Sequence, residues 1–138
     1  MDSAGAENTV KRFFEAWIKN DVDAAMRFVA DDCVYALYIS QEALPFAGES
    51  VGRDSVEAAL REARRQFRYL VFRPYNYNVR GDTVRFRVEF MYRHNASGEI
   101  LSGRFRMVMQ LRDGRIVRAD EYHDRAMVEA FMRLFGGS

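Results

Sequence analysis

The 138-residue chain is 49% hydrophobic and 30% charged, and 21 basic side chains almost balance 20 acidic ones, for a net charge of +1. This excludes a disordered chain and a global basic field of the kind that holds nucleic acid or an anionic membrane. The length suits one domain, residues 1–138, with a sizeable core.

Met1 to Ala6 reads as a lead-in. Val10, Phe13, Phe14, Trp17 and Ile18 then follow the spacing of an amphipathic helix near 9–19, with Asn8 or Thr9 as its cap. Asn20-Asp21 stops it, and Asp21 caps a second helix over 21–30. Cys33 to Ile39, rich in aromatic and branched residues, reads as a strand. Gln41 to Gly52 reads as a loop able to cover a pocket mouth. Asp54 or Ser55 caps a third helix over 54–67, with Val56, Ala59, Leu60, Ala63 and Phe67 on one face. Tyr69 to Val79 is a long strand interrupted at Pro74. A last helix spans 125–135 and ends at Gly136-Gly137.

Between these helices, Thr83 to Asp124 holds three strand-like runs and most of the ionisable groups that could share a buried site. Arg112-Asp113-Gly114 suits a three-residue hairpin loop, which sets Phe105 opposite Glu121. Phe105, Met107, Met109, Val117, Ala119, Glu121 and His123 then share one face, expected to turn inward. The link after His94 decides the neighbouring strand. A four-residue link places Arg87 and Glu89 on the opposite face, beside Arg104 and Arg106; an odd-numbered link places them with Glu121. Hydrophobicity alone favours Phe86, Val88, Phe90 and Tyr92 in the core, hence the four-residue link.

Helices followed by consecutive antiparallel strands indicate an α+β fold, in which a curved sheet around helices encloses a conical pocket suited to a small apolar ligand. Cys33, the only cysteine, excludes an internal disulfide. With no basic-then-apolar leader and no apolar run of membrane-spanning length, the expected location is cytoplasmic. His94, His123 and Cys33 do not form a metal-ligand spacing. No phosphate-cradling glycine loop or nucleophilic serine motif is present either.

The KND that closes the first helix, the ADD before the first strand, GRDSVEAAL at the third helix and DGRIV…EYHD near the end occur in an order that resembles the nuclear-transport-factor-2-like superfamily. This superfamily includes ketosteroid isomerases, SnoaL-like polyketide cyclases and limonene-epoxide hydrolases. The resemblance implies a cystatin-like cone: a curved antiparallel sheet wrapped around N-terminal helices. Ketosteroid isomerases carry an acid near the position of Ala36 and Leu37 and a tyrosine near Phe13, so their chemistry is disfavoured. The epoxide-hydrolase pattern is matched by Arg87-Val88-Glu89, by Glu121 before Tyr122-His123-Asp124, and by Tyr35; Leu37 replaces that family's asparagine.

The likeness implies the odd-numbered link. Tyr35, Arg87, Glu89 and Glu121 then converge as a catalytic group, with Arg87 bridging two carboxyls of different protonation. Phe13, Trp17, Leu37, Met91, Phe105, Met107 and His123 line the pocket. No cofactor is implied. Phe86, Val88, Phe90 and Tyr92 would then be exposed, predicting a homodimer through the sheet. Two functional readings follow. One is a hydrolase or isomerase/cyclase acting on a small apolar substrate; the other is a non-catalytic apolar-ligand-binding or protein-interaction domain.

Overall fold

The computed structural model describes residues 3–136, which form helices α1 (Ser3–Ile18), α2 (Val22–Met26), α3 (Arg53–Gln66) and α4 (Arg125–Phe135) and strands β1 (Val29–Leu37), β2 (Gly48–Val51), β3 (Phe67–Arg80), β4 (Thr83–His94), β5 (Ile100–Arg112) and β6 (Arg115–Tyr122). The strands make one curved, unclosed sheet in the order β2-β1-β6-β5-β4-β3, so the fold is α+β as expected. Neighbours are antiparallel except β1 and β6, which run parallel. Among the described residues no helix is long and apolar enough to cross a membrane.

Helix α1 lays Val10, Phe13, Phe14 and Trp17 against the concave side of the sheet, where all four are buried, while Ile18 at the end of the predicted stripe is 48% exposed. It begins at Ser3, earlier than its capping residues suggested. Asp21 caps α2 by accepting from the Ala24 N–H at 3.0 Å. That helix is only a short turn: Val29 and Ala30, assigned above to it, already belong to β1. Part of the predicted loop is also a strand, since β2 pairs with β1 through Val34–Leu37. Neither Asp54 nor Ser55 caps α3; Gly52, at φ 90°, precedes it without a side-chain cap.

The link between His94 and Glu99 has four residues, Asn95 to Gly98. The His94 N–H donates to Glu99 O at 2.8 Å and the Gly98 N–H returns to His94 O at 2.7 Å, closing a tight turn. This sets Phe86 opposite Met107 and Val88 opposite Phe105, facing the helices, and Arg87 opposite Arg106 and Glu89 opposite Arg104, facing away. Phe86, Val88, Phe90 and Tyr92 are all at most 7% exposed. The exposed apolar stripe on which the homodimer expectation rested is therefore core, and arginines occupy its place outside. Hydrophobic patterning was right here, and the register implied by family likeness is corrected.

The β5–β6 turn also differs. Asp113 and Gly114, at φ 53° and 76°, form a two-residue turn, the left-handed pair that matches strand twist. A bulge between Gln110 and Leu111 then shifts the ladder, so Met107, not Phe105, faces Glu121. Ile116 takes the inward position near the bulge and is 2% exposed, leaving Val117 half-buried.

Candidate active site

The parallel pairing of β1 and β6 sets Tyr35 beside Ala119 and Leu37 beside Glu121. Residues 86 apart in sequence thereby meet: the Tyr35 hydroxyl donates to Glu121 Oε1 at 2.8 Å. The other carboxylate oxygen, Oε2, lies 2.5 Å from His123 Nε2. The His123 ring stacks on Phe105, with centroids 4.3 Å apart, and meets the edge of Phe90 at 5.4 Å. These contacts fix the imidazole plane, and the side chain is only 6% exposed. An ionised carboxylate only accepts, so Nε2 must donate to it; in the neutral ring Nδ1 is then an acceptor, and it is buried with no partner.

Two small cavities meet at this carboxylate. The first, of about 50 Å³, lies between α1, α3 and the sheet and is lined by Phe13, Phe14, Trp17, Tyr35, Tyr69, Phe72, Tyr92, Met107 and Glu121 among others. The second, of about 40 Å³, lies under the β1–β2 loop and α4; its walls include Leu37, Leu44, Phe46, Leu101, His123 and Val128. Tyr35, Ala63, Tyr69, Tyr92 and Glu121 line both, so the Glu121 carboxyl stands at the partition. Glu129 of α4 accepts from the Ser40 N–H at 2.9 Å and tethers the loop that roofs the second cavity.

Burial, and then the Glu121 carboxylate, push the Tyr35 hydroxyl well above the ordinary tyrosine range, so it donates and does not act as a base near neutrality. Tyr69 and Tyr92, stacked with centroids 4.1 Å apart, are also raised, chiefly by burial. The Arg64 guanidinium lies over the Tyr69 ring at 4.0 Å and the Trp17 ring at 4.4 Å, two rings of the first cavity wall. Its Nε and Nη2 are buried without acceptors, and burial lowers its affinity for a proton. Among the described residues no group of three or more His, Cys, Asp or Glu side chains is placed to hold a metal.

Of the four proposed catalytic residues, the fold brings together Tyr35 and Glu121 only. Glu89 is on the outer face, paired with Arg73 at 2.8 Å and Arg104 at 3.6 Å, and Arg87 is exposed beside Arg106. The Arg-bridged carboxyl pair does not exist, because odd and even positions of β4 face opposite ways and the four-residue link points the odd ones outward. Of the pocket residues, Phe13, Trp17 and Met107 line the first cavity and Leu37 and His123 the second. Phe105 lines neither and instead backs His123, while Met91 is 38% exposed on the outer face. Tyr69, Tyr92 and Arg64 were missed. Tyr92 could have been found by following the Phe86 stripe inward; nothing local distinguishes Arg64 from Arg61 and Arg65 on the same helix.

The same architecture recurs in solved structures. A nuclear-transport-factor-2-like protein of Burkholderia xenovorans superposes with a TM-score of 0.82 at 18% identity, covering 94% of this chain and 97% of that one. A Rhodopseudomonas palustris protein provisionally described as an isomerase gives 0.83 at 17% identity, covering 91% and 96%. A Xanthomonas campestris protein provisionally described as a polyketide cyclase gives 0.74 at 20% identity, covering 93% and 99%. Comparison with curated proteins finds no match. The family model of the SnoaL-like domain matches residues 10–119, a span that runs from the α1 core face to Ala119, two residues before the site carboxylate, and the chain belongs to that family.

Proposed function

We propose that this protein moves a proton on a compact, mainly apolar small molecule, in a cofactor-free reaction of the isomerase or cyclase type, with Glu121 as the acid–base group. The observation that carries this reading is that the two oxygens of Glu121 are held by different donors, Tyr35 on one side and His123 on the other, where two apolar cavities meet. A desolvated carboxylate fixed in this way is oriented for proton transfer to or from a bound carbon or hydroxyl. Two lone pairs of the carboxylate remain free for the substrate. His123, donating from Nε2 to Oε2, holds the carboxylate in place while its buried Nδ1 stays an unpartnered acceptor on the other side of the ring. The provisional isomerase and cyclase descriptions of two structural neighbours agree with this chemistry.

The test is carbon-acid exchange. Small ring ketones and 1,3-dicarbonyl compounds are incubated with the protein in deuterated water and followed by NMR. Wild type accelerates exchange of the proton alpha to the carbonyl, and Glu121→Gln loses about 100-fold or more of that acceleration. A second reading, a non-catalytic ligand-binding domain, is favoured by one fact: both Glu121 oxygens already have protein donors, as in a satisfied core residue. Ligands that raise the melting temperature without any exchange above buffer would establish that reading instead.

A further inference from the structure

One buried charge in the fold has no answering charge. On α3, Arg61 pairs with Glu57 and Asp23, and Arg65 pairs with Glu62. Arg64, between them, pairs with no carboxylate among the described residues. Its Nε and Nη2 are enclosed without an acceptor, and its positive face rests on the Trp17 and Tyr69 rings. A cation taken out of water is costly unless a counter-charge meets it, and ring faces return only part of that cost.

Arg64 lines a depression of about 400 Å³ between the end of α1, the end of α3 and the start of β3. Lys19 and Arg68 line it too, and no acidic side chain does. Among the described residues neither of these cations has an ion-pair partner either. The carbonyl ends of α1 and α3 supply roughly half a negative charge each, which balances about one of the three positive charges. The depression also has an apolar side. Ile18, which the core leaves 48% exposed, shares the lining with Phe67 and Tyr69.

We infer that this depression binds a small organic acid, its carboxylate held by Arg64 and Lys19 and its compact apolar body resting on Ile18, Phe67 and Tyr69. Nη1 is the one guanidinium nitrogen of Arg64 that is not enclosed. Arg64 and Lys19 therefore offer one open donor group each, which matches the two oxygens of a carboxylate better than the three of a phosphate. Glu121 does not line the depression, so the site does not depend on the function proposed for the cavities.

Titration of the full chain with sodium phenylacetate at low ionic strength tests this, followed by amide NMR and by the fluorescence of Trp17, the only tryptophan. Binding should saturate and shift the amides of Lys19, Asn20 and Asn95. Phenylacetamide lacks the charge and acetate lacks the apolar body, so each should bind about tenfold more weakly or worse. Lys19→Gln and Arg64→Gln should each weaken phenylacetate by about tenfold. Lys19 is exposed, so its variant decides the matter if loss of the Arg64 ring contacts unfolds the other. Arg115→Ala, exposed at the opposite end of the sheet, should leave binding unaltered. The proposal is overturned by absent saturation, by phenylacetamide or acetate binding as tightly, by shifts confined to Cys33 and Ala119 in the first cavity, or by an equal loss in Arg115→Ala.

Discussion

Replacing Tyr35 by phenylalanine removes one hydroxyl and little else, because the ring keeps its place among Cys33, Tyr69 and Ala119 in the first cavity wall. What is lost is the donor to Glu121 Oε1 at 2.8 Å. A hydrogen bond to a charged acceptor contributes about 1.5–3 kcal/mol, and the Glu121 side chain, at 15% exposure, has little water to take the donor's place. Unfolding entropies near 2.1 cal/mol/K per residue over 138 residues make 1 kcal/mol correspond to roughly 3.5 °C, so Tyr35→Phe should melt about 5–10 °C lower. The charge on the acceptor is the cause, and a double-mutant cycle isolates it. Glu121→Gln retains an acceptor for Tyr35, but it can donate to His123 Nε2 only in the tautomer that leaves the buried Nδ1–H unpaired, so that variant alone should cost about 1–3 kcal/mol. In its background Tyr35→Phe should cost only about 0.5–1.5 kcal/mol, the value of a neutral bond. Urea unfolding of the four proteins measures the difference, expected near 1 kcal/mol. Costs for Tyr35→Phe that agree within about 0.3 kcal/mol in the two backgrounds would refute the argument, since independent sites add to that precision.

Arg87→Ala should leave stability within about 0.5 kcal/mol of wild type, or raise it slightly by relieving Arg106; the convergent site expected from family likeness would instead cost about 3–5 kcal/mol, and urea unfolding separates the two. Burial pushes the Cys33 thiol up to about 11, so a disulfide-exchange reagent should label it in the native protein only as fast as the molecule opens. Tyr35, Tyr69 and Tyr92 have raised folded-state values while the unfolded value stays near 10. Their contribution is complete below about pH 10 and is lost as pH rises further, so the urea midpoint should be flat up to that point and fall beyond it. The ultraviolet titration of the phenols should show these three ionising only with unfolding.

The elements were legible where periodicity was long. The Val10–Trp17 stripe, the α3 face and the alternation along β4 each point to their partner surface without further information. The short pieces were not legible: α2 ends after five residues because β1 takes Val29 into the sheet, and β2 forms only because β1 offers it a free edge. The site was half legible. Tyr35 and Glu121 meet through a parallel pairing that no local pattern announces, and His123 joins them because Phe105 and Phe90 hold its ring. Arg87 and Glu89 show the opposite failure. Their motif resembled a catalytic one, but four linking residues settled the face, and the apolar positions beside them had already indicated which.

The parallel pairing of β1 with β6 has a consequence for how the chain is made. Strand β1 emerges early in synthesis with only the four-residue β2 available to pair with it, while the strand that covers its other edge begins at Arg115. Until that point is reached, Val29, Cys33, Tyr35 and Leu37 lie along an unpaired edge, open to pairing with another nascent chain. Closing that edge and joining Tyr35 to Glu121 are the same event, at a contact separation that makes it slow relative to the neighbouring hairpins β3–β4 and β4–β5. The protein therefore completes the cavities around Glu121 last, and a chain cut short before Arg115 is left with an adhesive strand and without that carboxyl.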